Sequence, residues 1–302
     1  MDAHSTAVTI LTELDQTARG VAIGQFLAEM TYREAKQILG PAGIDVLVLK
    51  GPHLGNTVYD SPAERPYCDL DLLVRPRDHR KAIELLTQGR FTLADWDPAR
   101  LATERTYYNR ALRSRFGVLV ELHRDLAGHA RYPVDVDALF SRAESFRFGE
   151  TDARGLGTED LLCHLCLHIT KTYFWLVQPK HLEDIRLLVG RRTIDWEVLS
   201  ERIEQTRCRV GSYYCFMSAS EKLGVDVPRW VLEALRPGPV RRWWLERFID
   251  WRNWPSYKYP AHSSAQVQWR VGIPLIDRVK DWVPFTLTYA SIRLKDAACR
   301  LR

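Results

Sequence analysis

Two aspartates interrupt a segment that otherwise has the composition of a buried strand. In "RPYCDLDLLVRP", residues 65–76, Asp69 and Asp71 alternate with Leu70 and Leu72. Side chains two residues apart on a strand point to the same side, so we expect the two carboxylates to share one face. A carboxylate removed from water is costly unless it is paired or binds a metal. The spacing therefore predicts a site for one or two hard cations such as Mg²⁺.

A third carboxylate, Glu121, lies in the apolar run "VLVELH". We expect this run to form a β-hairpin with "RTYYNRAL" and to lie beside the two aspartates. Three carboxylates could then hold two metal ions, which activate an attacking oxygen and stabilise a leaving pyrophosphate. His123 shares the face of Glu121 and is predicted to orient it or to contact the substrate. The alternatives are a strand-end histidine bound to backbone, and aspartates that are exposed or paired with nearby arginines (Arg65, Arg75 and Arg77).

A lysine and a glycine follow the short apolar run "IDVLVL", residues 44–49. Gly51 lets backbone N–H groups approach a phosphate, and the start of the next helix favours an anion. Lys50 adds a point charge for a triphosphate. The alternative is an ordinary strand-to-helix turn with a surface lysine.

These motifs together carry a resemblance. "VLVLKGPHL…VYDSPAERPYCDLDLLV…VLVELH" resembles the uncharacterised nucleotidyltransferase family of the DNA polymerase beta-type superfamily, and the resemblance continues into "DLLCHLCLHITK" and "KHLEDIRLL". The matching residues are Lys50, Gly51, Tyr59, Arg65, Asp69, Asp71, Glu121 and His123.

The resemblance implies a mixed β-sheet that carries Mg²⁺ on three carboxylates and binds a nucleoside triphosphate such as ATP. The implied reaction transfers a nucleotidyl group to a hydroxyl or phosphate of an acceptor and releases pyrophosphate; a small molecule, a peptide natural product or transfer RNA are all open as acceptors. Arg65 is expected to help bind the triphosphate. The chain departs from the superfamily by having Lys50-Gly51-Pro52 in place of its Gly-Ser pair.

The hydrophobic pattern predicts an α/β (α+β) fold in two domains. A catalytic domain, residues 1–150, is predicted to begin with two helices within residues 5–39 and to contain a mixed sheet with flanking helices. From Thr158 onward the pattern is helical, so residues 151–302 are predicted to form an all-helical domain. The glycine-rich stretch "FGETDARGLGT" is expected to separate the two.

The helical half contains further candidates for binding. His164, His168 and Lys171 share one helical stripe, and His168 and Lys171 could contact phosphate or the acceptor, as could Lys180 in "PKHLEDI". The alternative is a helix–helix contact with hydrogen-bonded histidines. The Cys-x-x-Cys pair in "CHLC" is expected to be buried rather than to bind metal.

The last quarter of the chain is basic and rich in tryptophan. Residues 228–302 contain 14 Lys/Arg against 6 Asp/Glu, and 7 of the 10 Trp. In "RRWWLERFIDWRNW" we expect Trp243, Trp244, Phe248 and Trp251 to pack in the core. The alternative is contact with nucleic acid or a membrane surface.

The composition, with 46% apolar and 27% charged residues, is typical of a folded soluble protein. The first residues lack a signal-peptide pattern, no apolar run reaches membrane-spanning length, and the six cysteines are scattered, so we expect a cytoplasmic protein with reduced thiols.

Two other functions fit the same motifs. Asp-x-Asp also binds a metal and a sugar nucleotide in glycosyltransferases, although only one strand precedes it here. A non-catalytic module that binds RNA or another partner is the other alternative.

Overall fold

The computed structural model describes residues 3–94, 109–127, 132–171, 178–247, 272–283, 286–287 and 290, with backbone alone for 3–18 and 279. The chain divides into two compact units. The first contains residues 1–96, 109–124 and 140–156, and the second contains residues 97–108, 125–139 and 157–302.

The first unit is built on a mixed sheet of seven strands in the order β3-β4-β5-β2-β1-β7-β6. The strands are β1 (Leu47–Val48), β2 (Asp69–Leu73), β3 (Phe91–Leu93), β4 (Asn109–Ser114), β5 (Leu119–His123), β6 (Glu144–Phe148) and β7 (Thr151–Gly155). The pairs β2–β5 and β1–β7 are parallel, and the other neighbours are antiparallel. The predicted mixed sheet and the predicted hairpin of β4 with β5 are confirmed.

Within the part of the chain that the structure describes, the α-helices with defined bounds are α1 (Ala3–Leu39), α2 (Lys50–Thr57), α3 (His79–Gln88), α4 (Val136–Ser141), α5 (Thr158–Lys171), α6 (Pro179–Arg191), α7 (Trp196–Gln205), α8 (Arg209–Leu223), α9 (Arg229–Leu235) and α10 (Pro239–Leu245). Helices α5 to α10 follow one another in the second unit, as the periodicity predicts. None of the described helices is long and apolar enough to cross a membrane.

One face of β2 builds the core of the first unit. Leu70 and Leu72 are fully buried and pack in one cluster with residues of α1 and α3. Because side chains alternate along a strand, burying these leucines turns Asp69 and Asp71 to the opposite face. The alternation that drives the packing therefore also places the carboxylates.

Helix α1 differs from the prediction of two helices, because residues 3–39 form one continuous helix. The intervening "DQTARGV" contains no proline, and a single glycine such as Gly20 costs only about 1 kcal/mol in a helix. Tyr32, Ala35 and Leu39 then pack in the core of the sheet.

The stretch expected to separate the domains contains the turn after β6 and the whole of strand β7, which lies next to the edge strand β6. The predicted border at 150 lies in the turn between β6 and β7, where Gly149 has a φ of 58°. The Glu29 carboxylate of α1 accepts hydrogen bonds from Glu150 N at 2.9 Å and from Thr151 Oγ1 at 3.2 Å. These contacts hold the glycine-rich turn on α1, and the first unit extends to residue 156.

Candidate active site

The sheet brings the predicted carboxylates together through the pairing of β2 with β5. The two parallel strands pair Asp71 with Glu121 and Leu73 with His123. Glu121 and His123 lie two residues apart and so share a face of β5. The structure places ligand atoms of Asp71, Glu121 and His123 within 4.8 Å of one another, and among the described residues this is the group with the composition of a metal site.

His123 connects the two carboxylates. Its Nε2 lies 2.7 Å from Oδ1 of Asp71 and 3.4 Å from Oε2 of Glu121. The neighbouring strand β4 adds Asn109, whose Nδ2 donates to Oε2 of Glu121 at 2.7 Å. Both carboxylates are thereby fixed in position before any ligand arrives.

Asn109 is a site residue that the sequence reasoning missed. It is paired with His123 in the antiparallel register of β4 and β5. If the register of the predicted hairpin were known, Asn109 would be placed beside His123. The spacing of "RTYYNRAL" and "GVLVELH" alone does not fix that register.

Lys50 contacts the carboxylates directly. Its Nζ lies 2.8 Å from Oδ2 of Asp71, and both side chains are largely buried. The residue begins α2 with a φ of 42°. Positive φ is unfavourable for a residue with a Cβ, and such strain is concentrated at functional sites. The backbone turn thus places the Lys50 ammonium against the acidic face of the sheet.

Burial and ion pairing have opposite effects on the pKa values of Lys50, Asp71 and Glu121. Burial acts to raise the pKa of Asp71, but the Lys50 ammonium and the His123 hydrogen bond hold that pKa well below its usual range. Burial disfavours the charged Lys50, yet Asp71 outweighs it and raises the lysine pKa. The His123 hydrogen bond lowers the pKa of Glu121 against its burial. The arrangement therefore favours two ionised carboxylates beside one ammonium.

Asp69 lies on the same face of β2, two residues before Asp71, and is paired in register with Leu119. Its side chain is outside the group of Asp71, Glu121 and His123. Its negative charge nevertheless helps to raise the pKa of Lys50. Asp69 thus contributes to the negative potential at this face.

Gly51 and Arg65 surround the start of α2. A Cβ on Gly51 would lie 2.8 Å from Cβ of Tyr67, so close packing of Tyr67 requires glycine there. Arg65 is buried, and its Nη1 donates to the Pro66 carbonyl at 3.1 Å. Both residues therefore have structural roles besides the predicted contact with phosphate.

The other predicted binding residues belong to the second unit. His168 in α5 packs its ring 5.5 Å from that of His181 in α6. Lys171 Nζ donates to the Leu126 carbonyl at 3.1 Å. Lys180 lies in the first turn of α6 and is partly exposed.

Two expectations outside the site have clear outcomes. Cys163 and Cys166 are buried in α5, and burial raises the pKa of the Cys163 thiol to about 12, as expected for inert packing residues. The expectation of core packing is wrong for Trp243 and Trp244, which are 57% and 40% exposed, because Leu245 is the buried residue of α10. Phe248 and Trp251 lie outside the described residues.

Comparison with known proteins relates the chain to nucleotidyltransferases. Among solved structures, the chain is similar to the crystal structure of ANT(2'')-Ia in complex with adenylyl-2''-tobramycin, with 10% identity, coverage of 60% of this chain and 97% of the other, and a TM-score of 0.41. It is also similar to an antigenic nucleotidyltransferase-like protein from Paracoccidioides brasiliensis, with 15% identity, coverage of 73% and 92%, and a TM-score of 0.37.

No curated protein matches the chain. The family model described as an uncharacterised nucleotidyltransferase matches residues 2–224, a span that includes every strand of the sheet and the helices α1 to α8. The protein belongs to this nucleotidyltransferase family.

Proposed function

We propose that the protein is a Mg²⁺-dependent enzyme that transfers a nucleoside monophosphate from a nucleoside triphosphate to a hydroxyl or phosphate of an acceptor and releases pyrophosphate. Asp69, Asp71 and Glu121 would hold two metal ions. The observation that carries the proposal is the parallel register that pairs Asp71 with Glu121 on the acidic face of the sheet.

The chemistry of the side chains fits this metal. Mg²⁺ prefers oxygen ligands and uses one or two protein carboxylates together with phosphate oxygens and water. Asp71 and Glu121 supply such oxygens within 4.8 Å of each other. The ammonium of Lys50, 2.8 Å from Asp71, indicates that the face is suited to positive charge. Bound Mg²⁺ would supply charge neutralisation of the phosphates and a more acidic acceptor hydroxyl.

Each neighbouring residue has a role that follows from its contacts. Asn109 and His123 keep the carboxylates in position, which lowers the cost of assembling the site. Lys50 is close enough to the acidic face to bind phosphate oxygens that approach it. Arg65 and the backbone at Gly51 would add to the binding of the triphosphate at the start of α2.

His168, Lys171 and Lys180 of the second unit are the candidates for contact with phosphate or the acceptor, since a protonated lysine binds phosphate oxygens. Family membership favours nucleotidyl transfer over the glycosyltransferase alternative.

The test is incorporation of label from α-³²P nucleoside triphosphates into fractions of host extract, with pyrophosphate release measured in parallel. Asp71→Asn should abolish both signals while circular dichroism stays unchanged. Asp152→Asn, at a carboxylate whose side chain is 80% exposed in β7, is the matched control and should retain full activity. Turnover by the wild type in excess chelator would contradict the metal requirement, and Asp71→Asn with normal turnover would contradict the site.

A further inference from the structure

The second unit contains a cavity lined by arginine side chains. It has a volume of about 500 Å³ and lies where the end of α7, the starts of α8 and α10, and the segment around residue 277 meet. This volume is within the range of small-molecule sites. The charged residues that line it are Glu204, Arg207, Arg209, Arg241, Asp277 and Arg278. Four arginines against two carboxylates leave an excess of positive charge.

Two acidic residues near this cavity, Asp277 and Asp281, already have hydrogen-bond or ion-pair partners. Both carboxylate oxygens of Asp277 accept backbone hydrogen bonds at the start of α8, from Arg209 N at 2.8 Å and Val210 N at 3.1 Å. Asp281 pairs at 2.9 Å with Arg207, one of the four lining arginines, so Arg209, Arg241 and Arg278 carry the excess of positive charge. Arg241 is partly buried, and its two Nη atoms reach the Asp277 carbonyl at 3.3 Å. The Asp277 carboxylate offsets part of the charge of this guanidinium, yet burial still lowers the pKa of Arg241, so a further anion would stabilise it.

An apolar groove begins where the arginine cavity ends. Val240 and Arg241 line both spaces. The groove has a volume of about 670 Å³, and its other lining residues are Trp244, Ile273, Pro274, Trp282, Val283, Thr286 and Leu287. With the exception of Arg241 and Thr286, these side chains are apolar.

The apolar residues of this groove are unusually exposed. Val240 is 78%, Leu287 66% and Val283 64% exposed. Contiguous exposed apolar surface marks a binding site more often than scattered single residues do. Its continuity with an arginine cavity adds a requirement for negative charge at one end. An uncharged apolar partner would satisfy the groove alone, whereas a ligand with an anionic head and an apolar tail satisfies both spaces.

We propose that the second unit binds a single-chain anionic amphiphile, with a phosphate head among Arg209, Arg241 and Arg278 and a hydrocarbon or aromatic tail along Trp244 and Leu287. Guanidinium groups bind phosphate oxygens through paired N–H donors, and the tryptophans offer flat apolar surface to the tail. The proposal does not depend on nucleotidyl transfer, and the site is assigned on the geometry of the second unit alone.

Calorimetric titration of the full-length protein with octyl phosphate tests the proposal. The comparison probes are inorganic phosphate, which lacks the tail, and octanol, which lacks the charge. Octyl phosphate should bind at least about tenfold more tightly than either fragment, because the two spaces contribute together. Extending the tail by two methylenes should tighten binding again by roughly tenfold while the groove has room.

Three variants locate the site. Arg278→Gln, at an exposed arginine of the cavity, should weaken octyl phosphate binding by about tenfold. Leu287→Ser should weaken it by a similar factor and leave inorganic phosphate binding unchanged. Arg229→Gln is the matched control, because Arg229 lines neither cavity, is 91% exposed and pairs with Glu233 on α9. Thermal melting confirms that each variant folds, which is expected since the altered side chains are exposed.

Several results would overturn the proposal. Octanol binding as tightly as octyl phosphate would show a purely apolar groove, for which a protein helix is the better occupant. Equal binding of inorganic phosphate would leave the tail without a role. An unchanged affinity in both Arg278→Gln and Leu287→Ser would move the ligand elsewhere, and binding to anionic vesicles without binding to monomeric octyl phosphate would replace the amphiphile with a membrane surface.

Discussion

Replacement of Lys50 by methionine isolates the charge that faces the carboxylates. Methionine keeps most of the apolar stem of lysine and, like lysine, carries a Cβ at this position, where the backbone φ is 42°. The substitution therefore removes one ammonium with little change in volume. Asp71, which is 3% exposed, then keeps His123 as its partner but loses Lys50.

The magnitude follows from the geometry of the pair. At an effective dielectric constant of about 20, unit charges separated by the 2.8 Å between Nζ and Oδ2 attract by roughly 6 kcal/mol. The relief from no longer burying the ammonium offsets part of this, and removing one partner of a buried pair costs about 3–5 kcal/mol. We expect Lys50→Met to lower the free energy of unfolding by about 3 kcal/mol in the presence of chelator.

Urea unfolding followed by circular dichroism measures this loss. The double variant Lys50→Met/Asp71→Asn should lose less stability than the two single variants lose together, because neither charge is then buried without its partner. Arg229→Met, at a solvent-exposed i,i+4 pair with Glu233, should change stability by less than about 0.5 kcal/mol. Addition of Mg²⁺ should restore part of the stability of Lys50→Met by binding to the native state. A loss below about 0.5 kcal/mol for Lys50→Met would refute the electrostatic account of the site.

Two further predictions concern the frame around the sites. Gly149→Ala should destabilise the protein by about 2 kcal/mol, because φ is 58° and the new Cβ would clash with the Glu29 carboxylate of α1. Gly117→Ala is the control: φ is 80° but the space around the new Cβ is open, so the cost should be only about 1 kcal/mol. Thermal unfolding compares the two variants. Burial raises the pKa of Asp277 to about 6, so the folded state holds this proton more tightly than the unfolded state does. As the pH rises from about 4 to about 7, the free energy of unfolding of the wild type should therefore fall by up to about 3 kcal/mol relative to that of Asp277→Asn, measured by urea unfolding. A difference between the two proteins that stays constant with pH would contradict this.

The sequence determines which faces of the strands carry the chemistry. Alternation puts Asp69 and Asp71 opposite the buried Leu70 and Leu72, and the same period fixes Glu121 with His123. These relations are local, since they depend only on the period of the strand. The joint pattern of motifs also indicated the nucleotidyltransferase family, which the match over residues 2–224 confirms. The formation of helices α5 to α10 is also determined locally, because each segment carries its own hydrophobic periodicity and its own start or stop residues.

Tertiary structure decided what periodicity cannot encode. The parallel pairing of β2 with β5 brings Asp71 and Glu121 into register, and the antiparallel β4 adds Asn109. The turn before α2 directs Lys50 to Asp71. The stretch at Gly149 reads as a linker, yet Glu29 binds it more than a hundred residues away in the chain. Strand partners and buried charge pairs are contacts between distant segments, and their free energies depend on three-dimensional neighbours that no local pattern specifies.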